Sequence, residues 1–150
     1  MTATITEARD QILDLFKTAW DAGGASSGLT VLYEGGPTAD KPKDTSVSWA
    51  RVAVRHNPVQ PGKVTLGRAP DGKSRRTRTG NVFVQLFTPM GEGLQLADSL
   101  AIISQSAFEG KTTSPGNVIF RTVSVNEVGE EEGGWFQTNV TAQFEYDEIV

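Results

Sequence analysis

The stretch Asn81-Val-Phe-Val-Gln-Leu-Phe-Thr-Pro89 decides the fold. From Val82 to Thr88 both faces of an extended chain would be largely apolar. A strand of that kind is covered on both sides and belongs in the middle of a sheet. Thr88-Pro-Met-Gly-Glu-Gly93 then reads as a turn, because Pro and Gly break regular structure. Beyond it Leu96, Leu100, Ile103 and Ala107 recur at helical spacing, joined by Ala97 and Phe108. Gly110 supplies the stop.

Working outward toward the C-terminus, Val118–Glu127 and Trp135–Tyr146 alternate apolar and polar residues around an acidic loop, Val128–Gly134, and read as a hairpin. Toward the N-terminus, Val47–His56 is a strand with Ala50, Val52 and Val54 on one face and Trp49, Arg51 and Arg55 on the other. Val64–Leu66 begins a further short strand, followed by a basic loop from Arg68 to Thr79. Leu29–Tyr33 is a short strand, and residues 34–45 are a polar connection rich in Gly and Pro. At the start, Thr4 and Glu7 have capping-box spacing. Ile5, Ala8, Ile12, Leu15, Phe16, Ala19 and Trp20 form one apolar helical stripe, which Gly23 and Gly24 end. The expected fold is therefore α+β: a mixed, largely antiparallel sheet with two helices packed on one face and long inter-strand hairpin loops. All of it reads as one domain over residues 1–150.

Composition removes whole classes of chemistry. The 150 residues include no cysteine, so disulfides, thiolate metal sites and cysteine nucleophiles are out, and a reducing compartment would suit the chain. A single histidine, His56, cannot make a His-rich metal site. The net charge of −4 does not fit bulk nucleic-acid binding. No apolar run approaches the roughly 20 residues that cross a bilayer. The N-terminus has neither the basic flank nor the apolar segment of a signal peptide.

Two exact pattern matches need their context. Gly67-Arg-Ala-Pro-Asp-Gly72-Lys73-Ser74 spells a phosphate-binding loop. That chemistry needs a helix after the loop, because the helix N-terminus supplies the anion site. Here the motif runs into Arg75-Arg-Thr-Arg-Thr-Gly80 and then a strand, and Pro70-Asp71-Gly72 is ordinary turn chemistry. Gly24-Ala-Ser26-Ser-Gly28 spells a nucleophile elbow, but it follows a helix and precedes a strand, the reverse of what an elbow requires. No pair of carboxylates is set apart for acid/base work. No catalytic residue, cofactor site or metal site is therefore expected, and the chain reads as a non-enzyme.

What stands out is charge. Arg68, Lys73, Arg75, Arg76 and Arg78 face only Asp71 within the basic loop; five cations against one anion leave +4 in a protein of −4. Glu127, Glu130, Glu131 and Glu132 make the second loop acidic. Each is either a solvated tip or a docking element, and the acidic loop of another copy is one candidate partner for the basic one. Nucleic-acid recognition would call for interleaved aromatics or a groove-reading helix, and the basic loop has neither.

Several segments taken together resemble the tail terminator proteins of long-tailed bacteriophages. Asn81–Gly93 looks like that family's central strand, Pro turn and glycine lead into a helix. Leu96–Gly110, with Ala97-Asp98 and the closing Phe108-Glu-Gly110, looks like its second helix. Gly134-Trp-Phe-Gln-Thr-Asn-Val-Thr-Ala-Gln-Phe-Glu-Tyr-Asp147 resembles its final strand. The N-terminal helix and Leu29–Tyr33 fit as well, so the likeness runs along nearly the whole chain.

The resemblance implies a virion protein assembled in the host cytoplasm. It would form a homo-oligomeric ring, hexameric in the relatives, at the head-proximal end of the tail tube. Its partners would be the tail tube protein and the head–tail connector proteins. Phage DNA would pass through the lumen without specific binding. A tail tube or head–tail completion protein is the neighbouring reading. On this view Arg75, Arg76 and Arg78 face protein neighbours and not the channel, where they would grip phosphates.

Overall fold

The computed structural model describes residues 2–36, 42–58, 64–68, 72–91, 93–115, 118–131 and 133–149. The chain runs α1 (Ile5–Ala22), β1 (Thr30–Tyr33), β2 (Trp49–His56), β3 (Val64–Arg68), β4 (Ser74–Pro89), α2 (Gln95–Phe108), β5 (Ile119–Glu131) and β6 (Trp135–Ile149). The sheet order is β1-β2-β4-β6-β5, with β3 paired to the first residues of β4. β1 is parallel to β2 and the other pairings are antiparallel. The α+β class and the central place of the 82–88 segment are as expected. The central place follows from hydrogen bonding on both edges, but the expected cover on both faces is not found: the helices pack on one face, and on the other Phe83 stays 36% exposed because that face is an open groove.

The helices cover one face. Ala8, Ile12, Phe16 and Trp20 of α1 and Leu100, Ala101, Ala107 and Phe108 of α2 are buried in one cluster with Ala50, Val52, Val82, Val84, Leu86, Val140, Ala142 and Phe144 of the sheet. The sheet residues are those of one alternation phase, as a half-covered sheet demands. Each fully buried Phe or Leu there contributes about 2 kcal/mol of apolar transfer energy.

Local signals place the helix ends. Thr4 accepts from the Glu7 N–H at 3.2 Å, and Glu7 accepts from the Thr4 N–H at 2.8 Å, closing the capping box. At the other end Ser26, wholly buried, donates its hydroxyl to the Trp20 carbonyl at 2.6 Å. The apparent nucleophile is thus a cap for the last turn of α1. Gly23 is required beside it, since a Cβ there would stand 2.5 Å from Ser26 Oγ and 2.8 Å from Ile103 Cδ1.

Two segments differ from expectation. The basic segment 74–79 is no loop: β4 is continuous from Ser74 to Pro89. Its Arg/Thr alternation lies opposite Asp147 and Glu148 of β6, and cross-strand ion pairs replace apolar packing there. The acidic segment is likewise mostly strand. β5 continues to Glu131, with the register shift between Glu127 and Gly129 absorbed where Gly129 adopts φ 101°. The connections between β3 and β4 and between β5 and β6 are therefore confined to residues 69–73 and 132–134, so the long hairpin loops expected there are not found. Within β4, Gly80 leaves room for a neighbour, because a Cβ there would meet Arg55 O at 2.3 Å and Phe144 Cζ at 2.5 Å.

Replacing Ser26 by Ala removes the shorter of the two bonds to the buried Trp20 carbonyl and leaves it only the 3.3 Å bond from the Gly23 N–H. Chemical denaturation should show a loss of about 1–3 kcal/mol, with the far-ultraviolet circular dichroism unchanged.

Candidate functional site

The helix-free face of the sheet carries the features that a folded core does not explain. Its upper end is aromatic. Trp49 and Phe87 stack with centroids 4.0 Å apart, and Trp135 meets Trp49 edge-on at 5.8 Å. All three are buried, and the Trp135 indole N–H donates to the Val47 carbonyl at 3.0 Å. Below them Arg51 lies over both rings, 5.2 Å from the Trp49 centroid and 5.8 Å from that of Phe87. Its guanidinium donates to Gln85 at 3.4 Å, and among the described residues no carboxylate pairs with it.

Arg51 forms one wall of an open groove of about 470 Å³ lined also by Glu34, Ala53, Arg55, Phe83, Gln85 and Asn139. Alternation puts these residues together: β2 presents 51, 53 and 55, β4 presents 83 and 85, and β6 presents 139. Arg55 holds Glu34 through two contacts of 3.1 and 3.2 Å, but both side chains are largely exposed, so this pair is weak and exchangeable. Phe83 keeps 36% of its surface exposed on the groove floor. The groove therefore offers a stacked guanidinium, a second arginine and an apolar base.

The sequence-flagged basic residues are distributed differently. Arg75 binds Asp147 at 2.6 Å, with Thr77 donating to the same carboxylate at 2.8 Å. Arg78 binds Glu148 at 2.6 Å, and that carboxylate is buried. These two charges are neutralised inside the chain, so the segment is not a bare positive surface. Arg76 is half-buried with its Nε unpartnered. Lys73 precedes β4 and is exposed. Arg68 ends β3. Of the acidic residues, Glu127 and Glu130 are exposed on β5 and Glu131 closes that strand, while Glu132 lies outside the described residues. In the phosphate-loop match, residues 69–71 lie outside the described residues, and Ser74 opens a strand where a nucleotide site needs a helix.

A polar cluster that sequence reading missed sits at the lower end of the helix-covered face. His56 Nε2 and the Tyr146 hydroxyl are 2.8 Å apart, and the Arg9 guanidinium is 3.5 Å from His56 Nδ1. Burial, reinforced by the charges of Arg9 and Arg78, pulls the imidazole below its usual value of 6.5. Burial and the nearby Glu148 carboxylate push the Tyr146 phenol up to about 12. No local motif marks this cluster, because its members come from α1, β2, β4 and β6. Among the described residues no group of three His, Asp or Glu side chains is placed to hold a metal ion. Among the described residues no helix is long and apolar enough to cross a membrane.

Two solved structures share this architecture. One superposes with a TM-score of 0.57 at 17% identity, covering 89% of this chain and 94% of its own. The other, a chain of the "Virion of native gene transfer agent (GTA) particle", has a TM-score of 0.55 at 10% identity, with 93% of each chain covered. At these identities the likeness is one of fold. No family model and no curated protein sequence matches the chain.

A histidine held neutral by its surroundings makes folding pH-dependent. The unfolded chain takes up the proton near 6.5 and the folded chain only below that, so His56's contribution is complete above 6.5 and is lost as pH falls through the lowered value. Urea midpoints measured from pH 7.5 to 5.5 should fall in the wild type and fall less in His56→Gln. In a separate test, Arg78→Ala should cost about 3 kcal/mol, because it leaves Glu148 buried and unpaired.

Proposed function

We propose that this chain is a structural subunit of a phage-like virion, acting by assembly and performing no catalytic step. The observation that carries the reading is the end-to-end likeness to a chain of a gene transfer agent virion, 93% of each chain being covered. The sequence resemblance to phage tail terminators makes the proposal more specific. The subunit forms a ring at the head-proximal end of a tail tube, stops tube growth and offers the surface that joins the head. Its neighbours are then further copies of itself, the tail tube protein and the connector proteins, with DNA passing through the lumen.

Physical features support such a role. A ring requires a heterologous interface, in which two different patches of one chain meet in successive copies. This subunit has such patches, an arginine-bearing groove on one face and exposed carboxylates on β5. Among the described residues β1 and β5 are the end strands of the main sheet path. A terminator must in addition accept a tube ring on one side and refuse another on the opposite side, which suits a subunit whose two sheet faces differ as sharply as these.

Negative-stain imaging of the purified protein tests the proposal. Discrete rings are expected. Filaments that lengthen with concentration would assign the chain to the tube instead. A particle that stays monomeric at high concentration and does not bind tails would remove it from this group of proteins.

A further inference from the structure

We infer that the groove around Arg51 receives the acidic β5–β6 hairpin of a second copy of this chain. The inference rests on the ring-forming reading above and specifies the contact that builds the ring.

Charge and apolar surface both match. The groove presents Arg51, stacked and without a carboxylate among the described residues, beside Arg55, whose bond to Glu34 is exposed and exchangeable. Stacking on Trp49 and Phe87 holds the Arg51 fork in place before any partner arrives, and a preorganised guanidinium loses little freedom when it accepts a carboxylate. The hairpin presents Glu127 and Glu130, exposed and without ion-pair partners among the described residues. The sequence from Thr122 to Gly134 contains no cation at all. Between the carboxylates Val128 is 49% exposed and Val125, just before them, 44%, while the groove floor holds the exposed edge of Phe83. A hairpin laid in the groove would cover these apolar groups as it paired the charges.

Geometry requires the two patches to come from different copies. Glu127 lies opposite Thr138 and Glu130 opposite Phe136, which belong to the helix-covered phase of β6. The groove is built on the opposite phase, from Asn139, Gln85 and Arg51. A strand pair cannot turn its own side chains to the other face without slipping register by one residue. The hairpin of one copy can therefore reach only the groove of the next. Such a head-to-tail contact repeats from copy to copy and closes into a ring when its rotation allows.

Charge reversal on the full chain tests this. Arg51→Glu and the pair Glu127→Arg with Glu130→Arg should each weaken self-association about tenfold or more in sedimentation velocity. Combining all three changes in one chain should restore it. Arg51→Gln, which keeps a polar side chain over the rings, should show a smaller loss in the same direction. Thermal melts identify any variant that fails to fold, and the β5 changes sit at exposed positions. If folded variants assemble like the wild type, or the combined chain fails to recover, the contact is wrong while ring formation stands. If the charge changes shorten filaments instead of rings, the contact stands and the terminator reading fails. A wild type that is monomeric throughout overturns both.

Discussion

The pairing of β4 with β6 is the constraint on which the rest of the structure depends. The two strands run antiparallel in unbroken register from Arg75 opposite Ile149 to Pro89 opposite Trp135. One phase of this ribbon, Val82, Val84, Leu86, Val140, Ala142 and Phe144, is the floor of the helix-covered core. The other phase carries Phe83, Gln85 and Asn139 of the groove and ends in Phe87 and Trp135 of the aromatic cluster. A slip of one residue would exchange the two sets and put the valines in water. The cross-strand ion pairs Arg75–Asp147 and Arg78–Glu148 hold the register where apolar side chains give out.

That ribbon explains why the two faces have such different chemistry. The covered face must be apolar to hold α1 and α2, and at one end of it His56 bonds Tyr146 and Arg78 pairs with Glu148. The open face is free of that demand. It carries amides, hydroxyls and arginines, with Arg75, Arg121 and Arg55 each matched to a carboxylate and Arg51 stacked on rings instead. Two unlike faces give the fold a direction.

Much of the fold was legible because it rests on local rules. The capping box at Thr4, the stripe through Ile12 and Phe16 and the apolar run at 82–88 each announce their element without help from distant residues. The failures share a cause. Ser74–Thr79 read as a loop because its side chains are charged or hydroxylic, yet Arg75 to Thr79 each find a place opposite β6, about seventy positions away. Val128–Gly134 read as a loop because of its glycines, yet one of them only accommodates a bulge in a continuing strand.

The sequence by itself determined the α+β class, the helix limits, the central strand and the presence of two segments of opposite charge. Periodicity and composition carry that information within a few residues of each position. Only the tertiary structure decided which charges are free to act. Arg75 and Arg78 are spent on Asp147 and Glu148, whereas Arg51, unremarkable in the sequence, stands over an aromatic pair at the edge of a groove. Ion pairing and stacking join residues from different strands, and their partners are set by sheet order and register, which no short window of sequence contains.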